Sequence, residues 1–213
     1  MKTNVLLAFF FFSAALFAIT TAEMVYDSDG DLLKNGGNYY LLPPHLGGNA
    51  IQGASIHNSD GSCSLAVVVK LSYNNGWLTN IVSPHLTLHI TTDYSVWIKF
   101  AQLPLGNTCT KNPHWVVTRE QGFGEPVMVG DANELPFPLS GSFFIKPYDP
   151  AQFHYKLVFC YEHGNCGHVG VKIDSHGIHR LVVTEDENVE PWALKFVKET
   201  SNEVVASDIS MVV

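Results

Sequence analysis

The side chains in this sequence with reactive chemistry of their own are four cysteines, ten histidines and twenty acids. They are densest in the run CYEHGNCGH, which brings Cys160, His163, Cys166 and His168 within nine residues. Such a set could hold zinc, but structural zinc sites space their thiols as C-x2-4-C and keep them reduced. Five residues separate Cys160 from Cys166, which suits a short disulfide clip better than a metal. The histidines and acids raise the question of a hydrolytic triad. G-x-S-x-G, H-E-x-x-H and a glycine-rich phosphate loop are all missing from the sequence. The chain therefore reads as no enzyme, with no cofactor and no metal.

The compartment decides what the cysteines become. Met1 and Lys2 precede an almost wholly apolar run from Val5 to Ile19, followed by Thr20, Thr21 and Ala22. A basic start, a short apolar stretch and small residues before a polar one describe a secretory signal peptide, with cleavage expected after Ala22. The run is shorter than the ~20 apolar residues that cross a bilayer. Residues 1–22 are thus signal, and the protein is expected to be secreted, to the extracellular space or a vacuole, with no membrane segment. Losing Lys2 moves the net charge from −8 to −9. Scattered acids and so few clustered cations exclude a nucleic-acid surface. Charged residues make up 15% of the chain and hydrophobic ones 46%, the reverse of a disordered composition.

On an oxidising route four cysteines form disulfides, and four allow three pairings. The short YEHGN spacer leans toward Cys160–Cys166, which leaves Cys63 for Cys109. On the chain-entropy model the larger ring contributes about 4 kcal/mol and the smaller about 2.4 kcal/mol.

These groups must be positioned by strands. Eleven short runs bounded by turn formers recur: YYLLP, LAVVVKLS, LTLHITT, SVWIKFAQ, HWVVTRE, EPVMVG, SFFIKP, HYKLVFC, HVGVKID, HRLVVTED and PWALKFVKE. That spacing predicts an all-β sandwich or barrel. A faint threefold repeat runs through it, with YYLL, VWIKF and FFIKP in one series and AVVV, WVVT and VGVK in another. Residues 23–198 read as one domain, and 199–213 as a tail or sorting propeptide. Within LTLHI the alternation places Leu86, Leu88 and Ile90 on one face, as in a half-buried strand. Asn35, before Gly36 and Gly37, suits a turn that needs positive φ. Of Trp77, Trp97, Trp115 and Trp192, three sit inside strand runs, so packing is their default role.

The segment VYDSDGDLLKNGGNYYLL, Val25 to Leu42, resembles the opening signature of the plant Kunitz-type (soybean trypsin inhibitor) family, carried by Val25, Asp27, Asp29, Gly30, Leu33, Tyr39 and Leu41. YKLVFC from Tyr155 and RLVV from Arg180 are similar to that family too, as are the four cysteines in two sequential pairs. The resemblance implies a β-trefoil of twelve strands in three pseudo-symmetric units, and the pairing Cys63–Cys109 and Cys160–Cys166. It implies a monomeric plant defence protein that inhibits a serine protease through one exposed, substrate-like loop. The loop follows a Ser-Pro element, here Ser83-Pro84-His85, so the resemblance puts Leu86 before the scissile bond and Thr87 after it. Asn35 matches the asparagine that braces the loop. Trypsin needs Arg or Lys to meet the acid in its pocket, so Leu86 points to chymotrypsin-like or subtilisin-like targets. The family also holds storage, defence and carbohydrate- or amylase-binding members, the alternative reading. Leu86 cannot be both a core residue and a protease anchor, and the alternation and the resemblance disagree on it.

Overall fold

The computed structural model describes residues 23–44, 49–57, 61–71 and 75–199; the expected signal peptide and all of the tail but Glu199 lie outside them. Twelve strands are arranged four to a unit. The first unit holds β1 (Gly37–Leu42), β2 (Asn49–His57), β3 (Cys63–Leu71) and β4 (Thr79–Val82). The second holds β5 (Ser95–Phe100), β6 (Trp115–Val117), β7 (Glu125–Val129) and β8 (Gly141–Asp149). The third holds β9 (His154–Tyr161), β10 (Cys166–Ile173), β11 (His179–Thr184) and β12 (Ala193–Lys198).

The first and last strands of the units pair in the order β12-β1-β4-β5-β8-β9, and β9 pairs back to β12, so six strands close a barrel. The middle strands form the hairpins β2–β3, β6–β7 and β10–β11. They meet one another through β3–β7, β11–β3 and β11–β7, which makes a triangular cap over the barrel end. This is the β-trefoil that the resemblance implied.

Side-chain periodicity explains the layers. In SVWIKF of β5 every second residue is buried, so one face lines the barrel and the other meets solvent. The cap strand HRLVVT of β11 buries four residues in succession because it packs on both faces. Edge-on aromatic contacts run through the interior from Trp77 to Phe100, Trp115, Phe143, Phe159 and Tyr161. In the cap, Arg180 is fully buried, donates two bonds to Glu120 and lies over the Phe123 ring, which compensates its charge. Both disulfides have the expected partners, Cys63 with Cys109 and Cys160 with Cys166.

Ten of the eleven runs are strands; LTLHITT is not, and β2 and β4 fall outside the expected runs. NAIQGASIH in β2 is broken by polar residues and a glycine, and TNIV in β4 is only four residues long. The repeat has the right count but two wrong members. FFIKP lies in β8, whereas the threefold counterpart of β1 and β5 is β9; AVVV lies in β3, whereas that of β6 and β10 is β2. All barrel strands share the same alternation, so sequence similarity does not separate the first strand of a unit from the fourth.

Charge placement sets the pH range of stability. Lys198, ending β12, binds Asp31 and lies 3.0 Å from the buried Asp27, and it holds the Asp31 carboxyl below its usual range. Backbone N–H groups of Asn133 and Asn188 do the same for Asp131 and Asp186. Burial, with Lys99 nearby, lowers His114 from 6.5. Each of these groups binds fewer protons folded than unfolded, so its contribution is lost as pH falls through the window between the two values. Burial raises Tyr39, Tyr155 and Tyr161 above 10.0, so their contribution is lost as pH rises through the raised values. Calorimetry should find the highest Tm between about pH 7 and pH 9.5, with a decline below about 6.5 that steepens below about 4. A Tm that climbs on acidification to about pH 4 would contradict this assignment.

Candidate functional site

The connection between β4 and β5, residues 83–94, carries the Ser-Pro element. Ser83 is buried and Pro84, with φ fixed by its ring, turns the chain outward. His85 stacks on Tyr94 at the far end of the same connection, with ring centroids 4.2 Å apart. Leu86 stands entirely in solvent at 107% relative exposure, and Leu88 follows at 84%. The chain re-enters the molecule at Ile90, which is buried and exchanges backbone bonds with Val25 and Leu33.

The half-buried strand reading of LTLHI is therefore corrected. Ile90 faces the core, but Leu86 and Leu88 do not, because among the described residues no strand pairs with residues 83–88 to give them an inner face. Lys34 and Met24 make only isolated bridges to His89 and Thr91.

In place of a neighbouring strand, one side chain holds the loop. Asn35 Nδ2 lies 3.2 Å from Ser83 O, 3.3 Å from His85 O and 2.9 Å from Thr87 O, and its Oδ1 accepts from Ser83 N–H at 2.8 Å. The backbone adds Asn35 N–H to Leu88 O at 2.9 Å. Two amide hydrogens are shared among three carbonyls that flank Leu86 on both sides. Thr87 N–H also donates to His85 O at 2.8 Å, which closes a three-residue turn around Leu86.

The turn that presents Asn35 closes through Gly37 N–H to Lys34 O, and its positive φ of 79° belongs to Gly36. Asn35 itself has no positive φ, so turn conformation does not explain it, and its side chain is occupied with the loop. Asn80 of β4 fixes this turn from behind, with Nδ2 2.7 Å from Gly36 O and 2.8 Å from Asn38 Oδ1. Neither Asn80 nor Leu88 was among the residues expected at the site. Leu88 repeats, two residues on, the exposed apolar character of Leu86, a signal hidden by its fit to a strand.

The remaining chemistry-bearing groups lie elsewhere. Cys160 and Cys166 are directly paired across β9–β10 and oxidised, so the CYEHGNCGH run has no thiolate to offer a metal. Among the described residues no cluster of three or more potential metal ligands occurs. Trp115 is buried and Trp77 and Trp192 pack against the core, but Trp97 is 58% exposed, which corrects its assignment to packing.

The chain and its fold match known proteins. The legume Kunitz model, described as trypsin and protease inhibitor, matches residues 25–198. The chain belongs to this family. Kunitz-type trypsin inhibitor KTI1 of Glycine max is 30% identical over 95% of this chain and 99% of its own length. Trypsin inhibitor 1A of Psophocarpus tetragonolobus is 32% identical over 84% of this chain and all of its own length. Among solved structures, trypsin inhibitor 1 from Senna obtusifolia superposes with a TM-score of 0.75 at 40% identity, covering 92% of this chain and all of its own. The legume Kunitz family is described by protease inhibition rather than by catalysis, and the expectation of no enzyme stands on that membership.

Proposed function

We propose that this Kunitz protein is a secreted, monomeric inhibitor of chymotrypsin-like or subtilisin-like serine endopeptidases, with Ser83 to Thr87 as its reactive loop and Leu86–Thr87 as the scissile bond. The observation that carries this reading is the full exposure of Leu86 between carbonyls held by one amide, Asn35. A loop already held in one shape loses little entropy on docking, so the free energy of contact appears as affinity. The same brace keeps Pro84-His85-Leu86 and Thr87-Leu88 in place if the bond between them is cut, which favours resynthesis over release.

Leu86 sets the target class. The relatives named above are called trypsin inhibitors, and a trypsin pocket carries a carboxylate that demands a basic side chain. Leu86 offers none, so its place is an apolar pocket, and Leu88 gives a second apolar contact on the far side of the bond. Residues 23–198 form the inhibitory domain and residues 1–22 direct it to the secretory route. Nucleic acid, membrane, metal and cofactor play no part.

The test is prolonged incubation with catalytic amounts of chymotrypsin at mildly acidic pH, followed by mass spectrometry. Partial, self-limiting cleavage at Leu86–Thr87 with retained inhibition is expected. An intact chain that leaves chymotrypsin and subtilisin uninhibited would reject the reading in favour of a storage or other non-inhibitory trefoil.

A further inference from the structure

Two aromatic side chains at opposite ends of the β4–β5 connection lie outside the core. His85, directly before Leu86, is exposed, and Tyr94, next to the start of β5, is 38% exposed. Their rings stack on each other, with centroids 4.2 Å apart and planes inclined by 28°. Nine positions separate the two residues, so this contact ties the crown of the loop to its far end.

The two ends of the stack differ in how firmly they are held. Tyr94 stands between anchored residues. Thr92 N–H donates to Glu23 O at 2.9 Å, and Thr92 O accepts from Lys146 Nζ at 2.8 Å. Ser95 opens β5 and pairs with Phe144 of β8. His85 has a looser footing. Its N–H lies 3.3 Å from Ser83 Oγ, and its carbonyl lies 3.3 Å from the Asn35 amide, against 2.9 Å for Thr87 O. The bond it accepts from Thr87 N–H is internal to the loop. Good N–H···O bonds fall between about 2.7 and 3.2 Å, so the Asn35 brace is weakest at the carbonyl next to Leu86.

We propose that Tyr94 is a positioning residue for inhibition: its ring, carried at the fixed foot of β5, holds the His85 ring and so fixes the amino side of Leu86 where Asn35 grips least. The inference rests on the reading of Ser83 to Thr87 as the reactive loop and adds a residue outside that loop. Asn35 and Tyr94 act on different parts of it, the first on backbone oxygens and the second on a side chain. The ring face carries the effect, since the Tyr94 hydroxyl makes no hydrogen bond among the described residues. An aromatic stack contributes modestly, so a few-fold change is expected rather than loss of inhibition.

The test measures inhibition of chymotrypsin and subtilisin by the unaltered protein, Y94A, Y94F, H85A and the double variant, together with hydrogen exchange at the Thr87 amide of each free protein. Tyr94→Ala should weaken inhibition about two- to tenfold, hasten cleavage at Leu86–Thr87 and speed exchange of Thr87 N–H by a similar factor. Tyr94→Phe should match the parent in all three. Added to His85→Ala, Tyr94→Ala should cost nothing further, because a residue that acts through His85 then has nothing to hold. An equal loss in both backgrounds would make Tyr94 a direct contact of the protease and overturn the proposal. Parental inhibition and exchange in Tyr94→Ala would overturn it too. Should Tyr94→Ala fail to fold, His85→Ala removes the same contact from its exposed end, and unchanged Thr87 exchange there rejects the stack as a brace. A parent that inhibits neither enzyme rejects the reactive-loop reading itself, whereas a parent and a Tyr94→Ala variant that inhibit equally reject the role of Tyr94 alone.

Discussion

Leu86→Asp is expected to raise the inhibition constant against chymotrypsin by at least about a thousandfold while moving Tm by no more than about 2 °C. The first effect comes from placing a carboxylate where an apolar pocket closes. An anchor side chain at the centre of a protease interface is worth about 4 kcal/mol or more, and 1.4 kcal/mol is tenfold. The second comes from the full exposure of Leu86, which leaves no packing in the free protein to lose. Surface changes of that kind stay within about 0.5 kcal/mol of neutral. Side-by-side inhibition assays and calorimetry on the same sample check both halves. A large fall in Tm would mean that Leu86 supports the fold, and unchanged inhibition would mean that the anchor lies elsewhere. The complementary change, Leu86→Arg, should bring trypsin into range, because only the charge for its pocket is missing.

Asn35→Ala should weaken inhibition by about a hundredfold and convert the protein from a slowly cut inhibitor into a faster-cut substrate. The amide group holds three carbonyls and one N–H of the loop, and among the described residues no other side chain bonds to both Ser83 and Thr87. Without it the flanks of Leu86 lose their common brace, docking costs more entropy, and the two ends of a cleaved bond are free to part. Asn35→Asp should be at least as damaging, although it keeps the acceptor for Ser83 N–H, because a carboxylate would face three carbonyl oxygens and donate to none. Binding constants and the rate of appearance of the Leu86–Thr87 cleavage product are the measurements. Inhibition by Asn35→Ala at the parental level, with no faster cleavage, would remove Asn35 from the mechanism.

These two substitutions also separate target choice from loop rigidity. On the proposed reading Leu86 decides which pocket the loop enters, so its replacement should shift activity from one protease to another. Asn35 spends its side chain on the loop backbone, so its loss should weaken every target to a similar degree. A selective effect of Asn35→Ala would show direct recognition instead.

Much of the fold was legible along the chain. Alternation in runs such as SVWIKF and HYKLVFC needs only the two-residue period of an extended backbone, and ten of these runs form strands. The brief spacer between Cys160 and Cys166 leans toward that pair, which a hairpin places directly opposite each other, and the family resemblance implies both pairs. The absence of Arg or Lys at the crown of the Ser-Pro loop is likewise a property of the sequence, and the proposed specificity away from trypsin rests on it.

Tertiary structure decided the rest, for one physical reason. Alternation states which residues share a face and is silent on whether that face meets a neighbour. In LTLHI the same period that would have buried Leu86 and Leu88 leaves them in solvent, since the barrel pairs β4 with β5 beneath them and offers no strand alongside. The brace shows the same limit from the other side. Asn35 and the carbonyls it holds are 48 to 52 positions apart, and only closure of the first trefoil unit brings them together. Trp97 passes every local test for a packed strand residue and is exposed because its position in β5 faces outward from the barrel.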